Sequence, residues 1–241
     1  TASHYLKILM DAIFGADRFV NEIIWKRYGA HNDVGQGSKH YGRVHDVILF
    51  YSKSKDRNWN QLYTPLERLY IDSRFTYKDP DGRPYMDTPL TGPGGAEKGN
   101  PVYDWNGHTR AWRISKLTMQ QLHDAGKLHY TKTGYVRGKL YLDESKGVPV
   151  QSLWTDIAPL AGRMPERLNY PTQKPVKLYK WLLHNYAKPG DKILDTHGGS
   201  RSLAIACHQM GFDHVSCELD KDYHEASVKR FKEQTKQLSL L

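Results

Sequence analysis

The sequence predicts an α/β protein, and three observations predict it. The last third alternates β-rich runs with helical stretches in the order strand, helix, strand, helix, which implies parallel pairing through a right-handed crossover. Residues 1–60 carry a helix followed by two β-rich runs. The chain of 241 residues is long enough to bury a core, and its 12% aromatic content argues against disorder. With 39% hydrophobic residues and a mean hydropathy of −0.70, a membrane-spanning chain is excluded, because its apolar runs fall far short of about 20 residues.

Leu6, Ile8, Leu9, Ala12, Ile13 and Phe14 place a mostly apolar helix that Gly15 ends. Residues 19–25 and 47–51 suit strands buried on both faces. Between them, residues 31–38 form a polar, Gly-rich loop. Residues 61–165 show no sustained period. Asp79-Pro80-Asp81-Gly82 and Gly92-Pro93-Gly94-Gly95 are turn signals, and 115–125 reads as an amphipathic helix with Gly126 as its stop. This middle stretch reads as a small irregular domain inserted between 1–60 and 166–241, its Tyr and Trp residues serving mostly as anchors. The final part predicts a helix over 174–187 ended by Pro189-Gly190 and a strand over 192–195. A helix over 200–210 with Gly211 as its stop, a strand over 214–219 and a helix over 222–235 follow.

Lys and Arg total 35 against 26 Asp and Glu, a formal charge of +9, and the sequence pI is about 9.3. That balance fits a polyanion partner such as DNA or RNA, and it fits a basic soluble enzyme equally. The charge is spread evenly, so it locates no face. Cys207 and Cys217 cannot build a disulfide framework and suggest a reducing compartment; neither sits in a C-x-x-C pair, so no metal site is indicated. Thr1-Ala2-Ser3-His4 carries no signal-peptide pattern, and the absence of an initiating Met suggests a fragment or a trimmed chain.

The most informative segment is Lys192-Ile193-Leu194-Asp195-Thr196-His197-Gly198-Gly199-Ser200. A strand runs into a Gly turn and a helix follows at once, so the backbone can approach a ligand and the helix N-terminus offers free N–H groups. Glu218, at the end of the second strand, suits the two hydroxyls of a ribose. Turn and acid together point to an adenosine-containing ligand, although both acids also fit ordinary strand ends.

Thr172-Gln173-Lys174-Pro175, then a helix, then Lys188-Pro189-Gly190-Asp191, then Ile193-Leu194-Asp195 and the Gly-Ser turn resemble the permuted, beta-class amino-methyltransferases of DNA. The runs His4–Leu6, Asn21–Arg27 and His45–Lys53 resemble segments that follow the catalytic motif in that family. Tyr77–Arg83 and Gly147–Ile157 resemble the recognition region of type III modification methylases. The resemblance covers nearly the whole chain. It implies a Rossmann-like, circularly permuted methyltransferase fold with an inserted target-recognition region at 61–165. The implied cofactor is S-adenosyl-L-methionine and the implied substrate is double-stranded DNA. The implied reaction is methylation of adenine N6, with cytosine N4 as the alternative, in the cytoplasm of a bacterial or phage-host cell. A homodimer or a restriction subunit are the implied protein partners, and no membrane is.

By the same resemblance, Thr172, Lys174, Pro175, Asp195, His197, Gly199, Ser200 and Glu218 are cofactor-binding positions. Lys174 also reads as a surface lysine at a helix start, and His197 as a ring packed beside the cofactor. Lys26, Arg27, Arg110, Arg113, Lys132, Arg137 and Lys139 are candidate DNA contacts. His45-Asp46 reads as structural, and the loop 31–40 as one that closes over the target base or is simply mobile.

Two departures stand out. Where the family has a last glycine in its turn, this chain has Arg201, which bears on cofactor affinity. The family's catalytic tetrapeptide, a polar residue followed by Pro-Pro and an aromatic, has no counterpart, since no two of the 12 prolines are adjacent. It is expected just before His4, so the catalytic residues are unknown here. Without its strand, Ile23, Ile24 and 47–50 are expected to present an unpaired sheet edge. A non-catalytic remnant that binds DNA or cofactor is the second reading. An RNA methyltransferase is a third that fits the recognition segments poorly.

Overall fold

The structure is a computed structural model that describes residues 2–27, 37, 39–160, 164–168, 170 and 172–236. Most of the loop 31–40 lies outside these residues. In chain order the elements are α1 (Ala2–Phe14), β1 (Phe19–Lys26), β2 (His45–Tyr51), β3 (Tyr63–Thr64), α2 (Arg68–Arg74), β4 (Tyr77–Lys78), β5 (Pro84–Thr88), β6 (Val102–Trp105), β7 (His108–Ala111), α3 (Lys116–Asp124), β8 (Leu128–Tyr130), β9 (Val136–Tyr141) and β10 (Val148–Pro149). They continue with β11 (Leu153–Trp154), α4 (Val176–Tyr186), β12 (Lys192–Asp195), α5 (Ser202–Met210), β13 (Asp213–Ser216) and α6 (Lys221–Lys236). The chain divides into two compact units, one of Thr1–Leu62 with Val150–Leu241, the other of Tyr63–Pro149.

The first unit is mixed α/β. β1 pairs antiparallel with β2 from Phe19↔Tyr51 to Lys26↔His45, and β11 adds to its other side in parallel, Trp25 opposite Trp154. The expected open edge at Ile23–Ile24 is therefore closed: Ile24 donates its N–H to the Ser152 carbonyl at 2.8 Å. Ile23 is only 2% exposed. For the same reason 150–165 does not belong with the insertion, since β11 is a strand of this sheet and Ile157 joins its core. Nor are β1 and β2 buried on both faces, because Asn21, Glu22, Lys26 and His45 are exposed. β12 and β13 form a separate parallel pair, Lys192↔Asp213 through Asp195↔Ser216. On that pair Ile193 packs into the core while Leu194 and Val215 remain exposed.

α4 connects the two halves of this unit. Leu178 packs with Ile23, Trp25, Trp154 and Ile157, and Leu183 packs with Ala187, Ala206 and Cys207 of the α5 side. Five residues of a helix with 3.6 residues per turn separate these two side chains by about 140°, so one helix serves two cores.

The second unit is more regular than its sequence suggests. β4, β5, β9 and β8 form an antiparallel sheet in that order. Beside it lies the hairpin β6–β7, turned by Asn106 at φ +52 and Gly107 at φ +77. Asn-Gly adopts this pair of left-handed conformations readily, which is why two residues suffice for the turn. Ser115 caps α3 by accepting from the Thr118 N–H. Trp112 and Met119, both fully buried, centre a core with Leu90, Leu128 and Val136. Across the sheet, Lys139 reaches Asp79 at 2.6 Å, and the Tyr141 hydroxyl also donates to Asp79. Among the described residues no helix is long and apolar enough to cross a membrane.

The Asp79 carboxyl is held below the usual carboxylate range, first by the hydrogen bond from Lys139 and then by that from Tyr141. Burial, with Asp79 second, pushes the Tyr141 phenol up to about 12. A carboxylate whose pKa falls on folding stabilises the fold above its unfolded value, about 3.9. It loses that contribution as acid carries it through the lower folded value. Thermal unfolding followed from neutral pH to about pH 3 should therefore show Asp79→Asn less stable than wild type at neutral pH, with a shallower loss in acid.

Candidate cofactor turn

Asp195 ends β12, and the chain then turns back on itself before α5. Three backbone bonds shape the turn: Cys217 N–H to the Asp195 carbonyl at 2.8 Å, Gly198 N–H to the Cys217 carbonyl at 2.6 Å and Arg201 N–H to the Gly198 carbonyl at 2.7 Å. Glu218 leans over it. One of its oxygens accepts from the Gly199 N–H at 2.7 Å and the other from the Asp220 N–H at 3.1 Å. These bonds, Asp220 first and Gly199 second, hold the Glu218 carboxyl below its usual value, so it stays an ionised acceptor. A carboxylate has about four lone-pair sites, which leaves Glu218 capacity for further donors. Leu219 beside it is fully exposed, and the buried Oγ of Ser216 has no hydrogen-bond partner.

Gly199 lies at φ +49, and a Cβ there would come within 2.8 Å of the Tyr170 hydroxyl. Tyr170, itself edge-on to Tyr223 at 4.8 Å between ring centroids, thus packs against the bare backbone of the turn. Arg201, standing where a glycine was expected, is held at φ +57, a left-handed conformation that is costly for a side-chain-bearing residue. Its guanidinium points away to α6, with Nε donating to Ser227 Oγ at 3.1 Å and Nη2 lying 3.3 Å from His224 Nδ1. The side chain that replaces glycine is thereby anchored outside the turn.

The predicted cofactor residues fall in two places. Asp195, His197, Gly199, Ser200 and Glu218 meet at this turn. Asp195 accepts from the His197 N–H at 3.2 Å, and the exposed His197 ring contacts Thr196 Oγ1 at 2.9 Å. Ser200 is 6% exposed; its hydroxyl contacts Ser202, and its carbonyl accepts from the buried Arg230. It therefore closes the start of α5. Thr172 and Lys174 line a cavity of about 210 Å³ together with Arg27, Asp46 and Tyr170. There Asp46 holds Lys174 at 3.3 Å and Arg27 at 3.2 Å, the structural role expected of His45-Asp46. Pro175 is buried as the residue before α4.

Sequence reasoning missed Tyr170, Glu166 and Arg230. Glu166 accepts from the Val176 N–H at 2.7 Å, a carboxylate placed where the helix dipole favours it. It also lies 3.6 Å from Arg230, whose other nitrogen reaches Ser200 and Ser202. This chain of contacts ties the start of α4 to the start of α5. No local pattern announces it, since its members come from four separate segments. Of the candidate DNA contacts, Arg137 pairs with Asp87 at 2.7 Å and Lys139 with Asp79, so both are ion-paired inside the second unit. Arg110, Arg113 and Lys132 are exposed there with no ion-pair partner among the described residues, and Lys26 is exposed at the end of β1.

The profile of the N6/N4 DNA methylase family matches residues 1–229. The chain belongs to this family. The resemblance carried by Thr172–Pro175 and the Gly turn is thereby borne out. Among relatives of this chain, the type II methyltransferase M.EcaI of Enterobacter cloacae is 28% identical over 94% of this chain and 50% of its own length. The type III restriction-modification enzyme StyLTI Mod subunit of Salmonella typhimurium is 27% identical over 83% of this chain and 32% of its own length. The chain thus spans half or less of the length of these two relatives. Among solved structures, the M1.HpyAVI–SAM complex is 15% identical, covering 95% of this chain and 68% of that one, with a TM-score of 0.43.

The turn predicts its own sensitivity. Gly199→Ala should destabilise the chain by about 1–2 kcal/mol through the left-handed backbone alone, with a further loss from the contact with Tyr170. In a Tyr170→Ala background the second part should vanish and the first remain, which a double-mutant cycle of urea unfolding resolves.

Proposed function

We propose that this chain holds S-adenosyl-L-methionine at the Asp195–Arg201 turn for methylation of adenine N6 in double-stranded DNA. The single observation that carries this reading is Glu218, an ionised acid bonded across the turn with acceptor capacity to spare. Its free lone pairs suit the two ribose hydroxyls. The exposed Leu219 gives an apolar surface for a base. Bound there, the cofactor would supply an electrophilic methyl group. Asp195 holds the His197 N–H and so sets the path of the turn. Arg230 clamps the Ser200 carbonyl and keeps the start of α5 in place. Lys174, paired with Asp46 in the cavity that Thr172 also lines, is a second point of cofactor contact in this reading. In the second unit, read as a target-recognition region, Arg110, Arg113 and Lys132 are the cations placed to contact phosphates, with Lys26 in the first unit. Reaching an adenine in duplex DNA requires extruding it, at a cost of a few kcal/mol. The reading includes a cytoplasmic location, a permuted fold order, and a second copy or a restriction subunit as partner.

Cytosine N4 remains the alternative target within the family. The second reading, a chain that binds without modifying, is favoured by one feature: no Pro-Pro pair occurs among the 12 prolines. Exocyclic amine methylation needs an acceptor for the amine hydrogens and a ring to stack on the extruded base, and in the family one tetrapeptide brings both.

Two measurements follow. In calorimetric titration with S-adenosyl-L-methionine, Glu218→Ala should weaken binding about tenfold or more, the worth of a hydrogen bond to a charged acceptor. Unchanged affinity would remove Glu218 from the site. In a tritiated-methyl incorporation assay on mixed-sequence DNA, the 241-residue chain should label nothing by itself. Incorporation should return when a segment bearing the polar-Pro-Pro-aromatic tetrapeptide is supplied. Robust labelling by the chain alone would mean that another group accepts the amine protons.

A further inference from the structure

The proposed cofactor contacts come from two places in the first unit, and a buried arginine links them. One place is the Gly turn with Glu218 bonded across it. The other is the cavity of about 210 Å³ that Thr172 and Lys174 line before α4. Tyr170 belongs to both. It lines that cavity, and its hydroxyl lies 2.8 Å from where a Cβ on Gly199 would stand. The two places are therefore neighbours, near enough for one ligand to touch both.

Arg230 of α6 is 5% exposed. Its Nη1 donates to the Ser200 carbonyl and, at 3.1 Å, to Ser202 Oγ. Its Nη2 lies 3.6 Å from Glu166 Oε1, the same oxygen that accepts the Val176 N–H at 2.7 Å. Gln173, between Thr172 and Lys174, braces Glu166 in turn: its side-chain amide donates to the Glu166 carbonyl at 2.7 Å and accepts from the Leu168 N–H at 2.7 Å. An unbroken line of contacts thus runs from the cavity wall through Gln173, Glu166 and Arg230 to the turn. A cation this deep is costly unless a carboxylate and other acceptors surround it.

The turn does not need Arg230 for its own shape. The N–H groups of Cys217, Gly198 and Arg201 set that, together with Glu218. Arg230 instead grips the Ser200 carbonyl and reaches away to the α4 side. What it fixes is the distance between the two places. A ligand held at two points binds better than either half only while that distance matches its own length.

We propose that Glu166 and Arg230 are positioning residues that set the spacing of the cofactor site, so that S-adenosyl-L-methionine is held at the turn and at Lys174 together. The proposal rests on the cofactor reading above. Neither residue touches the ligand in it; both act through Ser200 on one side and the start of α4 on the other.

The test compares a whole ligand with one half of it, by calorimetric titration of the full chain. S-adenosyl-L-homocysteine spans both places, whereas 5′-methylthioadenosine reaches the turn alone. In Glu166→Gln and in Arg230→Met the whole ligand should bind about tenfold more weakly, and the half should change by less than about twofold. The double variant Glu166→Gln/Arg230→Met leaves no unpaired buried charge, so it guards against misfolding of the single variants. It should unfold near the wild-type temperature and show the same split between the two ligands. A merely structural role would weaken both ligands in parallel. Parallel loss in these variants, or a change below about threefold for the whole ligand in the double variant, overturns the proposal. So does a wild-type chain that binds the whole ligand no more tightly than the half. A wild-type chain that binds neither overturns the cofactor reading itself, and this inference with it.

Discussion

One helix carries two cores. α4 sets Leu178 against the β11–β1–β2 sheet and Leu183 against the α5 side. Every other feature of the first unit depends on the spacing this imposes. The start of the helix is fixed by Glu166, which caps the Val176 N–H and reaches Arg230 behind the Gly turn. The end of the helix receives the Asn58–Asn60 segment. A shift of α4 would therefore be felt at the Gly turn, because close-packed interiors transmit displacement without absorbing it.

The Gly turn is a backbone committed by its own hydrogen bonds. Glu218 spends two of its acceptor sites on Gly199 and Asp220, which fixes the carboxylate in place and keeps it ionised. Such a group has little reorganisation left to undergo on binding. Arg201 belongs to the same logic from the opposite direction. A left-handed arginine is strained, and its contacts to Ser227 and His224 are what the surrounding structure supplies to hold it. The departure from glycine thereby links the turn to α6 and keeps the long side chain outside the turn.

The second unit divides its cations by role. Lys139 and Arg137 answer Asp79 and Asp87 within the sheet. Arg83 answers Asp143 and Glu144 while its guanidinium covers the Tyr141 ring at 3.9 Å. Those charges hold the sheet together. Arg110, Arg113 and Lys132 are among the cations left exposed, on or beside the hairpin and the β8–β9 turn.

The sequence by itself determined the elements whose limits are local. Residues 192–195 are a strand, Gly211 and Gly126 stop helices at φ +75 and +68, and the Asp195–Ser200 turn with Glu218 forms as the pattern implies. Each depends on a few adjacent residues and on backbone conformations that few residue types adopt. The family was legible for the same reason, since Thr172–Pro175 and the turn are contiguous words. Tertiary structure alone decided the rest. Two residues, Leu153 and Trp154, are too short to show a period, so only their pairing with β1 reveals a strand. That Lys174 pairs with Asp46 is visible only in the fold. That Lys139 pairs with Asp79 is likewise visible only in the fold. In every such case the deciding partner lies far along the chain, and a charge or a ring shows its role only when folding has chosen what stands beside it.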